Sequence, residues 1–419
     1  MGDTMIVNDN AIIFHIDVNS AYLSWSALRE LQNGSKLDLR TIPSIVGGDQ
    51  ETRHGIVVAK SIPAKVFGIQ TAETVASAFQ KCPTLVMVPP DHAYYRDMSQ
   101  KLMRHLRSIC DEIEQVSIDE CYMSFEPIRG RFSSPEAAAT YIKDSVYDTF
   151  GFTVNVGISD RKVLAKMASD FKKPNLVHTL YVSEIQKKLW PLPIASLHMC
   201  GKSSAKLLQK MGIRTIGDLA RTDKAVVESW LKSHGGMLWN YANGIDDGQV
   251  VKEKPKAKGV GNSTTLANNA ETEEEYTVLK ELAVSVSQRL KKHHFLAAQI
   301  STEIKYASFR SVSHQTTILT PTAEETEIYQ CACQLFNELW DGEPIRLLGI
   351  RTTKLQDEEE PTQISLFDLG KYQEQEKQEE LRREKEEQKQ KKLASLDDAI
   401  AKIKKRYGDN AIHKGAETK

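Results

Sequence analysis

Apolar and polar positions follow two periods along this chain, and the changes of period divide it into segments. An apolar run over residues 11–18 predicts a strand, and residues 20–32 predict a helix ending before Asn33-Gly34. Residues 42–90 predict a small β-rich unit with strands near 44–46, 55–59 and 85–88. Inside it, a helix near 62–67 carries proline in its first turn and is closed by Gly68. Met98, Leu102, Met103, Leu106 and Ile109 recur at helical spacing over 92–110. A hairpin over 113–126 follows, then a helix over 136–150, a strand over 154–158 and a helix over 161–171. This alternation makes the runs at 11–18 and 113–126 candidates for the centre of one sheet.

From about residue 184 the texture changes to short helices broken by glycine. Residues 206–219 resemble half of a helix-hairpin-helix module, which offers backbone N–H groups to a nucleic-acid phosphate. Met199-Cys200-Gly201 keeps only one glycine of the usual hairpin, and a plain helical bundle also accounts for the segment. Residues 250–262, with four lysines, read as an exposed linker that is either a solvated tether or a phosphate contact. Residues 263–355 then predict a second α/β unit: helices over 272–293 and 324–340, and strands over 298–306, 315–319 and 345–353. After Asp357 the core pattern stops. Residues 371–392 are almost wholly charged or amide, and Leu396, Ile400 and Ile403 give the last stretch a short amphipathic face.

Charge and composition narrow the field. With 55 Lys+Arg against 56 Asp+Glu in 419 residues, any nucleic-acid contact must come from local basic patches. The six cysteines show no metal-binding spacing and read as free thiols of a reducing compartment. No run approaches a membrane span and no signal-peptide pattern opens the chain, so the expectation is a cytoplasmic protein without membrane contact.

The candidate chemistry lies in two apolar runs that each carry acid: Ile13-Phe14-His15-Ile16-Asp17-Val18 and Val116-Ser117-Ile118-Asp119-Glu120-Cys121. A carboxylate leaving a buried strand needs compensation, and hard oxygen ligands suit Mg²⁺. Side by side, the two runs would gather Asp17, Asp119 and Glu120 over a phosphate, which points to phosphoryl transfer. Taken singly, each residue could equally end its strand and cap the next element. Asp119 and Glu120 are sequence neighbours, so they converge only at a bend or hairpin tip.

Several further motifs stand in order: Tyr22, Val156-Gly157-Ile158-Ser159 followed by Lys162, Lys173-Pro174-Asn175, and Gly261-Asn262-Ser263-Thr264-Thr265-Leu266. With Ser117-Ile118-Asp119-Glu120 they make the chain resemble a Y-family translesion DNA polymerase of the bacterial UmuC/DinB type, in its UvrX-like Gram-positive or prophage branch. The resemblance covers roughly 11–355 and implies an α+β right-hand polymerase. It places a ferredoxin-like palm at 1–35 and 86–183, fingers at 36–85 and a helical thumb at 184–248. A linker at 249–262, a little finger at 263–356 and a charged tail at 357–419 complete the expected plan.

The same resemblance implies that Asp17 and Asp119 ligate two Mg²⁺ ions, that the Val18 carbonyl completes one of them, and that Glu120 serves the catalytic ion. Tyr22 would be the steric gate against ribonucleotides, where the residues alone favour a core tyrosine. Lys65 and Lys173 would meet the triphosphate of the incoming dNTP, although Ile62 and Lys65 replace the family's tyrosine and frequent arginine. Tyr95, Arg96 and Ser99 fit a family helix near the site. In the tail, Gln363-Ile364-Ser365-Leu366-Phe367 resembles the bacterial sliding-clamp-binding peptide, with Gln363, Ile364, Leu366 and Phe367 as its anchors. The implied partners are primer-template DNA, dNTP, the clamp and accessory SOS proteins. Two rivals remain: an inactive polymerase-like scaffold recruited to the clamp, and another two-metal enzyme such as a nuclease or nucleotide cyclase.

Overall fold

The computed structural model describes residues 11–48, 55–253, 256–270 and 274–360. The chain divides into two units between Lys256 and Ala257. In the first, β1 (Ile13–Val18) leads into α1 (Ala21–Gln32). A small subunit follows, made of β2 (Ser44–Gly47), β3 (Val57–Lys60), α2 (Ile62–Val66), α3 (Val75–Lys81) and β4 (Val86–Val88). Then come α4 (His92–Ile109), β5 (Ile113–Gln115), β6 (Glu120–Ser124), α5 (Pro135–Phe150), β7 (Val154–Ser159), α6 (Lys162–Ser169) and β8 (Val177–Thr179). The helical end holds α7 (Ile185–Lys188), α8 (Lys202–Lys210), α9 (Ile216–Arg221) and α10 (Lys224–Ala242), which breaks at Lys232.

The five-stranded sheet runs β5-β6-β1-β7-β8, so the two acid-bearing strands lie together near its centre. β1 is buried along both faces. Its even positions, Phe14, Ile16 and Val18, join Trp25, Tyr95, Leu102, Leu106, Ile142 and Val146 in the main core. Alternation therefore turns Ile13, His15 and Asp17 to the other face, where α6 lies. Gly157 on β7 admits that helix. A Cβ built there would fall 2.0 Å from the Ala165 carbonyl oxygen and 2.5 Å from the Ser169 amide nitrogen. The Val156-Gly157-Ile158-Ser159 motif is thus a close backbone contact between strand and helix.

Two expected boundaries move. The fingers segment was placed at 36–85, yet β4 at Val86–Val88 pairs in parallel with β2 and belongs to the small β3-β2-β4 sheet. The linker expected at 249–262 is shorter at both ends. Val251 N–H donates to Glu114 Oε2 (2.8 Å) and Lys252 Nζ to Asp111 Oδ2 (2.8 Å), while Gly259–Ala270 forms β9. Glycine, asparagine and serine on a half-exposed edge strand read like a loop because only part of one face meets a core.

The second unit continues with α11 (Glu274–Lys292), β10 (Phe295–Tyr306), β11 (Ser311–Thr322), α12 (Glu325–Leu339) and β12 (Ile345–Asp357). Its antiparallel sheet, ordered β11-β10-β12-β9, packs Ile300, Ile304, Leu348 and Ile350 against Leu282, Val286, Ala332 and Phe336 of the helices. The opposite face is open and polar, with Ser263, Ser301, Glu303, Gln315 and Arg351. No helix among the described residues is long and apolar enough to cross a membrane. The clamp-like peptide at 363–367 lies outside the described residues.

Gly157→Ala should destabilise the first unit by about 3 kcal/mol, because backbone rather than a flexible side chain must yield. Chemical denaturation of the purified full-length variant against the parent checks this.

Candidate active site

The three acids meet as the hairpin geometry requires. Asp17 lies opposite Glu120 in the β1–β6 register, and Asp119 precedes β6 in the turn of the hairpin. Val18 N–H donates to the Asp119 carbonyl (3.0 Å), which ties the turn to the end of β1. Ser117 Oγ donates to Asp119 Oδ1 at 2.7 Å.

Two lysines from α6 and the loop after it neutralise this cluster. Lys166 Nζ stands 2.7 Å from Glu120 Oε2 and 3.7 Å from Asp17 Oδ2. Lys173 Nζ stands 2.5 Å from Asp17 Oδ2, and both ammoniums also face Asp170. Burial alone would pull both ammonium pKa values down, but the surrounding carboxylates outweigh it and hold them above the ordinary lysine value.

The loop that delivers Lys173 is pinned by asparagines. Asn155 Nδ2 donates to the carbonyls of Ser169 (3.1 Å) and Lys172 (2.9 Å), and Asn175 N–H donates to Asn19 Oδ1 (2.9 Å). Asn155 sits opposite Asp17 on β7, so one strand position fixes both the loop and the acid's neighbour.

His15 is buried beneath Glu120, with Nε2 3.4 Å from Glu120 Oε2 and Nδ1 2.8 Å from Ser169 Oγ. Ser169 Oγ donates its own proton to the Lys166 carbonyl (2.8 Å), so Nδ1–H is the donor toward the serine. Burial lowers the His15 pKa and favours the neutral ring, which would turn a bare Nε2 toward Glu120. Glu120 is nevertheless held at about 2, first by the hydrogen bond from His15, against the opposing effect of burial, and then by Lys166. The Lys166 contribution is the firmer, since its ammonium is charged in either state of the histidine.

Asp119 moves the other way. Burial raises its pKa, Ser117 opposes this, and the Asp17 and Glu120 charges add to the rise. Tyr22 stacks on Tyr95 (4.6 Å between centroids) and meets His92 edge-on. It is half-buried, and its phenol pKa is raised by burial and by the Asp119 charge. The tyrosine is therefore both a core-edge residue and a wall of the site. Lys65 is different: it is exposed on α2 and shows no contact with the three acids.

An all-oxygen set of Asp17, Asp119, Glu120 and the Val18 carbonyl, with mutual repulsion already raising Asp119, fits a hard divalent cation. Among the described residues, no three His, Cys, Asp or Glu side chains are yet gathered around one point. The ion pairs supply the reason, since Asp17 and Glu120 are each turned to a lysine. Lys166, Asp170, Asn155 and His15 had no role assigned from sequence. The signal available was charge at 162, 166 and 170 on a helix whose other positions are mostly apolar.

The fold is that of a Y-family DNA polymerase. A solved Y-family DNA polymerase chimera built from Dbh and Dpo4 superposes with a TM-score of 0.72 at 22% identity, covering 83% of this chain and 99% of the other. Family models described as "impB/mucB/samB family" and "impB/mucB/samB family C-terminal domain" match residues 16–170 and 257–366. A protein named DNA polymerase IV from Clostridium acetobutylicum is 40% identical over 403 residues, 96% of each chain. DNA polymerase IV 1 of Bacillus subtilis is 35% identical over 410 residues, 97% of this chain and 93% of its own. The chain belongs to the impB/mucB/samB family, the UmuC/DinB-type Y-family polymerases. The finer UvrX-like placement rests on the sequence motifs alone.

The two acids should respond to neutralisation with opposite sign. Glu120, depressed from 4.5 to about 2, contributes stability present above its unfolded pKa and lost as pH falls through the folded one. Glu120→Gln should therefore lower Tm at pH 7, costing at most about 3 kcal/mol. Asp119, raised, carries a penalty at neutral pH that disappears in acid. Asp119→Asn should raise Tm at pH 7, with the gain shrinking as pH approaches 3.8. Thermal melts across pH without added divalent cation check both signs.

Proposed function

We propose that this chain is a DNA-templated DNA polymerase of low fidelity that extends primers across damaged template bases. The observation that carries the reading is the convergence of Asp17, Asp119 and Glu120 at the ends of adjacent central strands, in a chain of this family. The reaction is nucleotidyl transfer from a dNTP to a primer 3′-hydroxyl with pyrophosphate as leaving group. Asp17 and Asp119 with the Val18 carbonyl would hold two Mg²⁺, and Glu120 would complete the site nearer the primer end. Bound there, the ions supply Lewis-acid activation of the hydroxyl and charge neutralisation along the triphosphate.

The chain's own residues do the rest. Lys173 and Lys166 bring positive charge to within contact of the acids, where a triphosphate would sit. Tyr22, backed by Tyr95, leaves no space for a 2′-hydroxyl. Lys65 reaches the phosphates only from the exposed face of α2, and Ile62 offers no hydroxyl, so triphosphate binding here leans on Lys173.

In this reading the five-stranded sheet with α1, α4, α5 and α6 is the palm, and β2–β4 with α2 and α3 are the fingers. The helices α7–α10 form the thumb, and the second unit is the little finger. The fingers are small and present apolar surface at Ile62, Phe67 and Val66, the last 84% exposed. Such a lid encloses a base pair loosely, which suits tolerance of lesions. Gln363, Ile364, Leu366 and Phe367 would tether the enzyme to the sliding clamp and raise its effective concentration at primer ends. The setting is SOS-type damage tolerance with accessory proteins, in a nucleoid-associated cytoplasmic pool.

Primer extension with purified protein, Mg²⁺ and dNTPs on intact and abasic templates tests the reading. Asp119→Asn should cut extension by at least about a thousandfold while leaving the fold intact. Normal extension by that variant would reject the assigned site. Tyr22→Ala should raise incorporation of ribonucleotides relative to dNTPs by about tenfold or more. Leu366→Ala with Phe367→Ala should keep activity on short primers and lose stimulation by the clamp.

A further inference from the structure

Asp170 has no part in the scheme above, yet its two carboxylate oxygens divide the two site lysines between them. Oδ1 stands 2.9 Å from Lys173 Nζ, and Oδ2 stands 3.5 Å from Lys166 Nζ. It caps the C-terminal end of α6 four residues after Lys166, so helix geometry brings those two to one side, and the loop that follows returns Lys173 to the same carboxylate. Its side chain is 45% exposed, unlike Asp17 at 11% and Glu120 at 21%. Each lysine therefore touches a buried site acid and an outer acid at once.

This arrangement has a charge consequence. Three carboxylates, Asp17, Glu120 and Asp170, face two ammoniums, and Asp119 adds a fourth negative charge nearby. Divalent cations can use Asp17 and Glu120 only when Lys166 and Lys173 release them. If the displaced ammoniums had no nearby anion, they would compete for the same oxygens or repel the arriving cations.

We propose that Asp170 is a positioning residue: it receives Lys166 and Lys173 when cations take over Asp17 and Glu120, and keeps both ammoniums beside the triphosphate. This rests on the reading of Asp17, Asp119 and Glu120 as cation ligands. The exchange needs little motion, since Lys173 already shares its proton donors between Asp17 and Asp170. Lys166 has only to shorten an existing contact. Burial would raise the carboxyl pKa of Asp170, but Lys166 and Lys173 outweigh it and hold it below the ordinary value.

The test is Mg²⁺ titration of the full-length chain bound to a primer-template with a 3′-dideoxy end and a matched dNTP, so that no turnover occurs. The readout is the Mg²⁺ concentration that half-saturates nucleotide retention. Asp170→Asn should raise it about three- to tenfold, and Lys166→Gln should lower it by a similar factor. Asp170→Glu should restore it to near the parent value. In a Lys166→Gln background, which keeps Lys173 for the triphosphate, Asp170→Asn should shift it clearly less than in the parent, because one of the two received ammoniums is gone. An undiminished shift in that background would overturn the proposal and leave Asp170 a distant negative charge. A rise with Lys166→Gln would also overturn it. Where Lys166→Gln melts early, Lys166→Met supplies the same comparison. Nucleotide retention that ignores both the templating base and Asp119→Asn would instead overturn the cation-ligand reading itself.

Discussion

The structure turns on one electrostatic constraint: three carboxylates lie at the same end of two central strands, one of them buried on both faces. Like charges so placed repel unless a counter-charge is close. Here the counter-charge is internal, in the ammoniums of Lys166 and Lys173. Burial, with the neighbouring acids adding to it, raises Asp119, whereas the contacts of Glu120 with His15 and Lys166 hold that carboxyl low. Asp17 and Glu120 are thereby compensated from within the chain.

Backbone devices deliver the charges. Gly157 lets α6 lie directly on β7, which brings Lys166 and Ser169 within reach of His15 and Glu120. Asn155 then holds the turn after α6 by two carbonyl contacts, so Lys173 returns to Asp17. Removing the close strand–helix approach would displace both lysines together. Motif residues without any chemistry of their own thus set the distances on which the chemistry depends.

The peripheral parts follow looser rules. The small β3-β2-β4 subunit has a compact core of Ile45, Val57, Ile69 and Val75 but leaves Ile62, Val66 and Phe67 in the open. In the second unit, one sheet face is sealed by two helices and the other is polar and uncovered. The polar sheet face is an ordinary solvated face, whereas the exposed Ile62, Val66 and Phe67 form the more unusual apolar surface.

Much of this was legible in the chain. Period and turn chemistry located most of the strands and helices, because buried strands and amphipathic helices leave local signatures. Asp17, Asp119 and Glu120 stood out because acid inside apolar runs demands compensation, and Tyr22 stood out only through resemblance. The ends of elements were harder. The first residues of β9 pair through backbone on an edge strand whose glycine, asparagine and serine carry little side-chain pattern. Lys166, His15 and Asn155 could not be assigned because they meet partners 14 to 154 residues away in sequence, and Asp170 because its two neighbouring lysines gain a role only through those distant contacts. The sequence by itself determined which residues bear charge and which faces are apolar, since both are properties of side chains and local period. Only the tertiary structure decided which ammonium neutralises which carboxylate, because that depends on a helix and a strand approaching through one glycine.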